Sequence, residues 1–425
     1  MFKKAIAMLL VIAILAFVAG FLASKYLLPP KIGGSTEQTQ VSSAKTQPPA
    51  YTASTQTNND PIQEQIDNMS LEEKIGQMVM VGFDGSTADQ NVKRLIADDH
   101  VGGIIFFKDN FTDPNQMLSL VNQLKELNST NKEPLFLSVD QEGGRVNRMP
   151  DSISSIPASG TIGKYNNKNF SFNIGSLLAQ EVKMFGLNMN FAPVLDINSN
   201  PKNPVIGDRA FGSTPSVVRN LGIQTMKGIQ SQNIISVVKH FPGHGDTSTD
   251  SHIGLPIVNN DLNRLESFEL LPFEDAVKNG VDAVMVAHIL LPKIDSDNPA
   301  SLSKNIITGI LRDKMKFNGV VFTDDMTMGA IADNYGMGEA AVKSINAGSD
   351  IVLVCHEYDK ENQVIQSIKA ATASGEISEQ RINQSVYRIL KLKAKYKLND
   401  KPVDKVDITG INKKIKSVLD KYMVK

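Results

Sequence analysis

The chain has 425 residues, of which 41% are hydrophobic and 21% are charged, and its net charge at pH 7 is -1. This composition supports a sizeable folded core and excludes a chain that is disordered throughout, and the balanced charge gives no reason to expect nucleic-acid binding. The single cysteine, Cys355, excludes an intramolecular disulfide bond.

The amino terminus has the pattern of a membrane anchor. Lys3 and Lys4 precede an apolar run without charges, residues 5–24. A helix of about 20 residues spans about 30 Å, the hydrocarbon thickness of a bilayer, and lysines in front of it keep that end in the cytoplasm. We therefore expect a transmembrane helix in segment 1–28, with the rest of the chain outside the cell. A cleaved signal peptide, which would make the protein secreted, is the alternative.

Segment 29–60 is dense in serine, threonine, glutamine and proline and nearly free of large aliphatic residues. Such a segment cannot bury enough apolar surface to fold, so it is predicted to be a flexible linker. Residues 61–400 are expected to form the folded domain, and residues 401–425 a short C-terminal tail.

Residues 61–400 alternate short apolar segments with longer amphipathic stretches, which is typical of βα units on a parallel sheet. The strand candidates are QMVMVGF (77–83), GGIIFF (102–107), LFLSVD (135–140), LNMNFAPVLD (187–196), IISVVKHF (234–241), AVMVAH (283–288), GVVFTDD (319–325) and DIVLVC (350–355). Eight strands with helices between them predict an α/β fold of the TIM-like (β/α)₈ barrel type, with an open sheet of six or seven strands as the alternative.

Polar residues cluster at the predicted carboxyl ends of these strands. In a barrel those ends converge on one face, where active sites are built. The residues concerned are Asp84, Lys108, Asp140, Asp196, Lys239, His240, His288, Asp324 and His356.

The segment KHFPGHGDTSTDSHIGLP (239–256) contains three of the six histidines, His240, His244 and His252, together with Asp250. It could be a metal site, although its spacing matches no common zinc motif. Alternatively, Asp250 could orient and charge the imidazole of His252, so that the two form an acid/base pair. A polar loop held by its own hydrogen bonds is the third interpretation, and the residues alone leave all three open.

In VVFTDDMTMG (320–329), two carboxylates end an apolar strand. Adjacent strand residues point to opposite sides, so only one of them is expected to face the barrel mouth. Asp324 is closer to the strand body and is the better candidate for a nucleophile. Asp325 suits the amino end of the following helix.

In SVDQEGGRVNRMP (138–150), Asp140 ends a strand, and Arg145 and Arg148 follow it. A carboxylate with two guanidinium groups suits a ligand rich in hydroxyl groups and acidic groups. The same residues could instead form an ion pair that braces the loop.

Taken together, KHFPGHGDTSTDSH, SVDQEGGRVNR, NPVIGDRAFG and VVFTDDMTM resemble the bacterial β-N-acetylglucosaminidases of glycoside hydrolase family 3, in the order typical of that family. The resemblance covers about residues 62–400. It implies a barrel that removes terminal β-linked N-acetylglucosamine with retention of configuration, from peptidoglycan fragments, without a cofactor or a bound metal. The partners it implies are a glycan substrate and, through the predicted anchor, the membrane.

The resemblance also implies roles for individual residues. Asp324 corresponds to the nucleophile that forms a covalent glycosyl-enzyme intermediate, His252 to the acid/base and Asp250 to the partner of that histidine. The implied sugar-binding residues are Asp140, Arg148, Arg209, Lys239 and His240.

Three alternative functions differ from this one in their chemistry. A phosphorylase would use phosphate in place of water. A metal-dependent amidohydrolase on the same barrel would use His240, His244 and His252 as metal ligands. A wall-binding protein without activity would keep a disabled sugar pocket, but the intact set of proposed catalytic residues argues against it.

Overall fold

The computed structural model describes residues 60–423. The predicted transmembrane helix in segment 1–28 and the predicted linker, except for its last residue Asp60, lie outside the described residues. Within 60–423, no helix is both long and apolar enough to cross a membrane.

Eight parallel strands close into a barrel, in which each strand pairs with its neighbours in chain order and the last pairs with the first. The strands are β1 Val79–Val81, β2 Gly103–Phe106, β3 Phe136–Val139, β4 Met189–Asn190, β5 Ile235–Phe241, β6 Ala283–Val286, β7 Val320–Asp325 and β8 Ile351–Val354. Each lies inside one of the eight predicted segments. The predicted barrel is therefore confirmed, and the open-sheet alternative is wrong.

Helices connect the strands and cover the outside of the barrel. They are α1 Pro61–Asp67, α2 Leu71–Gln77, α3 Gln90–Ala97, α4 Pro114–Leu127, α5 Ser159–Tyr165, α6 Lys168–Met184, α7 Pro215–Gln230, α8 Leu262–Ser267, α9 Leu271–Lys278, a π-helix Asn305–Lys314, α10 Gly329–Ala332, α11 Met337–Ala347, α12 Tyr358–Ala373, α13 Glu379–Lys395 and α14 Ile408–Met423. Several begin at a capping residue that the sequence supplies. Ser70 and Glu73 form a capping box at α2, for example.

The amino end of the barrel is braced by ion pairs. Asp350, which directly precedes β8, is fully buried and accepts from the guanidinium groups of Arg312, Arg381 and Arg388. These arginines come from the π-helix and from α13, so the cluster ties outer helices to the start of a strand. At this end of a barrel such contacts serve stability, whereas the carboxyl end is left for chemistry.

The segment predicted as a short tail, 401–425, contains the helix α14. Its residues Ile411 and Ile415 are buried, and the ring of Tyr422 stacks on Phe170 of α6 with 5.0 Å between ring centroids. Apolar residues recur at helical spacing from 411 to 422, the pattern of an amphipathic helix. The segment is therefore a helix that packs against the barrel, and not only the short tail that was predicted.

Candidate active site

A cavity of about 520 Å³ opens among the loops that follow the strands, and its size is typical of small-ligand sites. All eight residues implied to act on or bind the sugar line it, namely Asp140, Arg148, Arg209, Lys239, His240, Asp250, His252 and Asp324. Of the other polar residues predicted at strand ends, His356 also lines the cavity. Four are absent from its wall, namely Asp84, Lys108, Asp196 and His288.

Asp324 is the penultimate residue of β7, and its Oδ1 accepts from the backbone N–H of Asp325 at 2.9 Å. Burial alone would raise the pKa of this carboxyl group. Nearby charge and hydrogen bonding outweigh burial and hold the pKa of Asp324 below its ordinary value, through His240, His288, Asp325 and Lys239. The side chain is therefore an ionised carboxylate at neutral pH, which is the form that a nucleophile needs.

Asp325 has a different role from the one predicted. Its carboxylate accepts from the N–H and hydroxyl of Thr327, at 2.9 and 2.6 Å, and from the N–H of Cys355 at 3.0 Å. Helix α10 begins only at Gly329, with Met328 as its N-cap, so the prediction that Asp325 caps that helix is wrong. Asp325 instead ties the loop after β7 to the end of β8.

Both aspartates line the cavity, although only one of them was expected to face the barrel mouth. The pairing of β7 with β8 shifts register between Phe322 and Asp325. A register shift of this kind disturbs the strict alternation of side chains along a strand. Of the two, only Asp324 keeps a carboxylate oxygen, Oδ2, without a hydrogen bond to the described residues.

The structure brings Asp250 and His252 together on the loop after β5. Oδ1 of Asp250 lies 2.9 Å from Nδ1 of His252 and also accepts from the His252 N–H at 2.9 Å. Burial acts to raise the pKa of Asp250, but these contacts with His252 lower it by more than burial raises it. The pKa is therefore below its ordinary value, and the carboxylate is ionised. The imidazole is 67% exposed, and its Nε2 has no hydrogen-bond partner among the described residues.

The loop that carries His252 is bonded to the start of α10. The N–H of Gly329 donates to the carbonyl of His252 at 3.3 Å, and the N–H of Ala330 donates to that of Ser251 at 3.0 Å. A Cβ atom at position 329 would lie 2.7 Å from the same His252 oxygen. Only glycine therefore allows the two segments to approach this closely.

The other two histidines of this segment are held by hydrogen bonds of their own. His244 is buried between Thr247 and Ser251, with 2.8 and 3.2 Å from its ring nitrogens to their hydroxyl oxygens, and burial lowers its pKa to about 4. Nδ1 of His240 lies 2.7 Å from Asp196. Within residues 60–423, no three His, Cys, Asp or Glu side chains are grouped so that they could hold a metal ion.

One residue at the centre of the site, Glu142, was missed by the sequence analysis. It is buried and accepts from Nε and Nη2 of Arg209, at 2.9 and 2.7 Å. It also pairs with Nζ of Lys239 at 2.7 Å, and the same ammonium group contacts Asp140. Asp140 and Glu142 are two positions apart, so in extended backbone they lie on the same side. That spacing was the signal that could have identified Glu142.

Arg148 differs from the other basic residues of the site. Its guanidinium group makes no hydrogen bond to the described residues, and its Nε is buried without a partner. Buried polar groups are normally hydrogen-bonded. An unpaired guanidinium on the wall of a cavity is therefore placed to bind a ligand.

Replacing Glu142 by glutamine is expected to lower the free energy of unfolding by about 3 kcal/mol at pH 7, because it leaves the buried charge of Arg209 without its carboxylate and Lys239 with Asp140 alone. Burial acts to raise the pKa of Glu142, but Arg209 and Lys239 hold it far below its ordinary value. The carboxylate therefore stabilises the fold above the unfolded-state pKa of about 4.3, and this contribution is lost as the pH falls below that value.

Denaturant unfolding at pH 7 and at pH 3.5 measures this effect. The difference between wild type and variant should shrink at the lower pH. Glu339→Gln is the control, because Glu339 is exposed and pairs only with Lys343, and its effect should stay below about 1 kcal/mol. A difference for Glu142 that does not change with pH would contradict the expected role of its charge.

Comparison with known proteins identifies the family. The family model described as glycosyl hydrolase family 3 N terminal domain matches residues 70–392. β-Hexosaminidase A of Pseudoalteromonas piscicida is 34% identical over 334 residues, which is 73% of this chain and 56% of that protein. The β-hexosaminidase of Nitrosomonas eutropha is 34% identical over 324 residues, which is 74% of this chain and 91% of that protein. This chain thus spans little more than half of the first relative and most of the second.

A solved structure of a protein from the same family is also similar to this chain. The glycoside hydrolase family 3 β-N-acetylglucosaminidase from Paenibacillus sp. str. FPU-7 superposes with a TM-score of 0.79 at 40% identity, covering 83% of this chain and 69% of that one. The family match spans all eight strands and every loop that lines the cavity. The chain is therefore a glycoside hydrolase that belongs to family 3, within its group of bacterial β-hexosaminidases.

Proposed function

We propose that the protein is an exo-acting, retaining β-N-acetylglucosaminidase that hydrolyses terminal β-linked N-acetylglucosamine through a covalent intermediate on Asp324. The observation that carries the proposal is that one cavity wall contains both the ionised Asp324 carboxylate and the paired His252 and Asp250. A retaining glycosidase needs one group that attacks the anomeric carbon and another that transfers a proton. The similarity to β-hexosaminidases supports the choice of sugar.

In the first step, Asp324 attacks the anomeric carbon while the imidazolium of His252 gives the proton on Nε2 to the leaving oxygen. In the second step, the neutral imidazole takes a proton from water, and that water attacks the anomeric carbon and releases Asp324. Asp250 holds the ring by its Nδ1 through both steps, so that Nε2 stays directed to the proton it transfers. The exposure of His252 leaves Nε2 free for both transfers.

We propose that the remaining cavity residues bind the terminal sugar. Arg148 offers an unpaired guanidinium, and Asp140 offers a half-buried carboxylate beside Lys239. Glu142 holds Lys239 and Arg209 in fixed positions. Charged groups held in fixed positions in this way can form hydrogen bonds with several hydroxyl groups of one ligand.

We further propose that peptidoglycan fragments supply the substrate and that the enzyme works outside the cytoplasmic membrane. The apolar run at residues 5–24 and the polar linker after it support this location. The substrate source rests on the motifs shared with bacterial β-N-acetylglucosaminidases.

Assays of the purified protein with a chromogenic β-N-acetylglucosaminide and with the matching β-glucoside test this proposal. We expect the glucoside to be hydrolysed at least about 100-fold less efficiently, because a site built to hydrogen-bond a substituent rejects the analogue that lacks it. The sugar released in phosphate buffer should be free N-acetylglucosamine, and a strong chelator should not change the rate.

Three outcomes would contradict the proposal in different ways. Activity on neither substrate, or on the glucoside alone, would overturn the substrate. A sugar 1-phosphate as product would identify a phosphorylase. Loss of activity with the chelator would favour a metal-dependent reaction.

A further inference from the structure

Glu181 is a buried acid that the proposed reaction does not use. It lies on α6, is 1% exposed, and one of its carboxyl oxygens, Oε2, accepts from Nε2 of Gln141 at 2.7 Å. Burial raises its pKa to about 8, against the effect of the hydrogen bond from Gln141. At neutral pH it is therefore an uncharged carboxylic acid, which accepts this hydrogen bond without placing a charge in the core.

Gln141 connects Glu181 to the loop that carries Arg148. The Oε1 atom of Gln141 accepts from the Arg148 N–H at 2.8 Å, and its Nε2 donates to Oδ1 of Asn147 at 3.0 Å. The backbone of Gln141 is held separately, because the side-chain amide of Asn190 bonds both its N–H and its carbonyl at 2.9 Å. The side chain of Gln141 is thus the part that positions the loop.

Arg148 depends on this arrangement more than the other basic residues of the site do. Lys239 and Arg209 are fixed by the carboxylate of Glu142, whereas the guanidinium of Arg148 has no partner within residues 60–423. The position of the Arg148 side chain is therefore set by its backbone and by neighbouring residues such as Asn147. Gln141 bonds both the Arg148 N–H and the side chain of Asn147.

We propose that Glu181 is a positioning residue for the binding of the terminal sugar, which it supports by fixing the orientation of the Gln141 amide. The inference rests on the proposed function, since Arg148 is there a sugar-binding residue. A glutamine amide can rotate by half a turn, which exchanges its oxygen and its nitrogen. The acceptor on Glu181 favours the orientation that leaves Oε1 facing the Arg148 N–H. Without that acceptor, one of the two buried side-chain N–H groups of Gln141 loses its partner. The orientation is then held only by Asn147 and the Arg148 N–H, and is fixed less firmly.

Three substitutions at position 181 test the proposal with the chromogenic β-N-acetylglucosaminide. Glu181→Ala should raise KM about five- to tenfold, the equivalent of roughly one lost hydrogen bond, and leave kcat within about twofold. Glu181→Gln retains a carbonyl acceptor and should have the KM of the wild type. Glu181→Met retains the volume of the side chain but has no carbonyl acceptor, so it should show the same five- to tenfold rise in KM. This variant keeps the test available if Glu181→Ala does not fold.

Glu133→Ala is the control for general destabilisation. Glu133 is also a buried acid, but it lies three residues before β3 at the amino end of the barrel and bonds Gln65. Its KM should not change. Equal changes in KM for Glu133→Ala and Glu181→Ala would overturn the proposal.

A double-mutant cycle with Arg148→Ala decides whether Glu181 acts through Arg148. The KM of the double variant should equal that of Arg148→Ala alone, because the loss of Arg148 removes what Glu181 positions. Additive effects would overturn the proposal, as would a glutamine variant with the high KM of the alanine variant.

If the wild type hydrolyses the substrate and Glu181→Ala has a normal KM, this inference fails and the proposed function stands. If the wild type has no activity, the proposed function fails and the inference fails with it.

Discussion

Replacing Asp324 by asparagine is expected to lower kcat by at least about 10⁴-fold, because the variant loses the only group in the proposed mechanism that attacks the anomeric carbon. Asparagine has nearly the same shape, and its oxygen can still accept from the Asp325 N–H. The variant should therefore unfold at close to the wild-type temperature. Steady-state kinetics and a thermal melt on the same preparation measure the two quantities.

The covalent intermediate gives a direct check on this assignment. After reaction with a slow fluorinated β-N-acetylglucosaminide, the mass of the protein should increase by one sugar, and peptide mapping should place the label on Asp324. Asp325→Asn is the matched control. Because Asp325 braces the β7 and β8 loops through Thr327 and Cys355, its replacement should reduce stability and still allow labelling. A label on another residue, or an Asp324→Asn variant within tenfold of the wild-type rate, would show that Asp324 is not the nucleophile.

Replacing His252 by glycine is expected to lower kcat/KM for substrates with poor leaving groups by about 10²- to 10⁴-fold, the usual range for loss of a general acid. Substrates with good leaving groups do not need the proton and should still glycosylate the enzyme. Their second step should then be slow, because no base activates water, and added azide should restore turnover by forming a glycosyl azide. A comparison of nitrophenyl and alkyl N-acetylglucosaminides measures the dependence on the leaving group.

His356→Gly provides the matched control, because His356 lines the same cavity and its ring packs at a tilt against that of Phe107, with 4.7 Å between ring centroids. Any effect of that change should be equal for good and poor leaving groups, and azide should not reverse it. If the His252→Gly variant does not react even with activated substrates, His252 is not the acid/base.

The barrel could be predicted from the sequence because its strands are short apolar runs rich in β-branched residues, separated by amphipathic helices. The same regularity placed polar residues such as Asp140, Lys239 and Asp324 at the carboxyl ends of strands, and the structure gathers them around one cavity. The pair Asp250 and His252 was also visible, because both residues lie on one short loop and their contact is local.

Features that depend on contacts between distant segments could not be predicted in this way. Glu142 is important because Arg209 and Lys239, far along the chain, meet at its carboxylate. The role of Asp325 depends on a register shift against β8, which no local pattern encodes. Glu181 lies on the side of α6 that faces the core. The sequence alone does not show whether an acidic residue on a helix is buried or exposed, because that depends on the neighbours it meets in the fold.

The two hydrogen bonds between α10 and the loop of His252 are expected to join the proposed proton donor and the proposed nucleophile in one cooperative unit. The N–H groups at the start of α10 donate to the loop that carries His252, which follows β5. The loop therefore cannot move away from the barrel unless these N–H groups lose their hydrogen-bond partners. Because only residues 326–328 separate α10 from the end of β7, disorder in the histidine loop would extend towards Asp324. Partial unfolding at this rim should therefore remove both reactive groups together, so that no half-assembled site is left to attack a sugar without donating a proton.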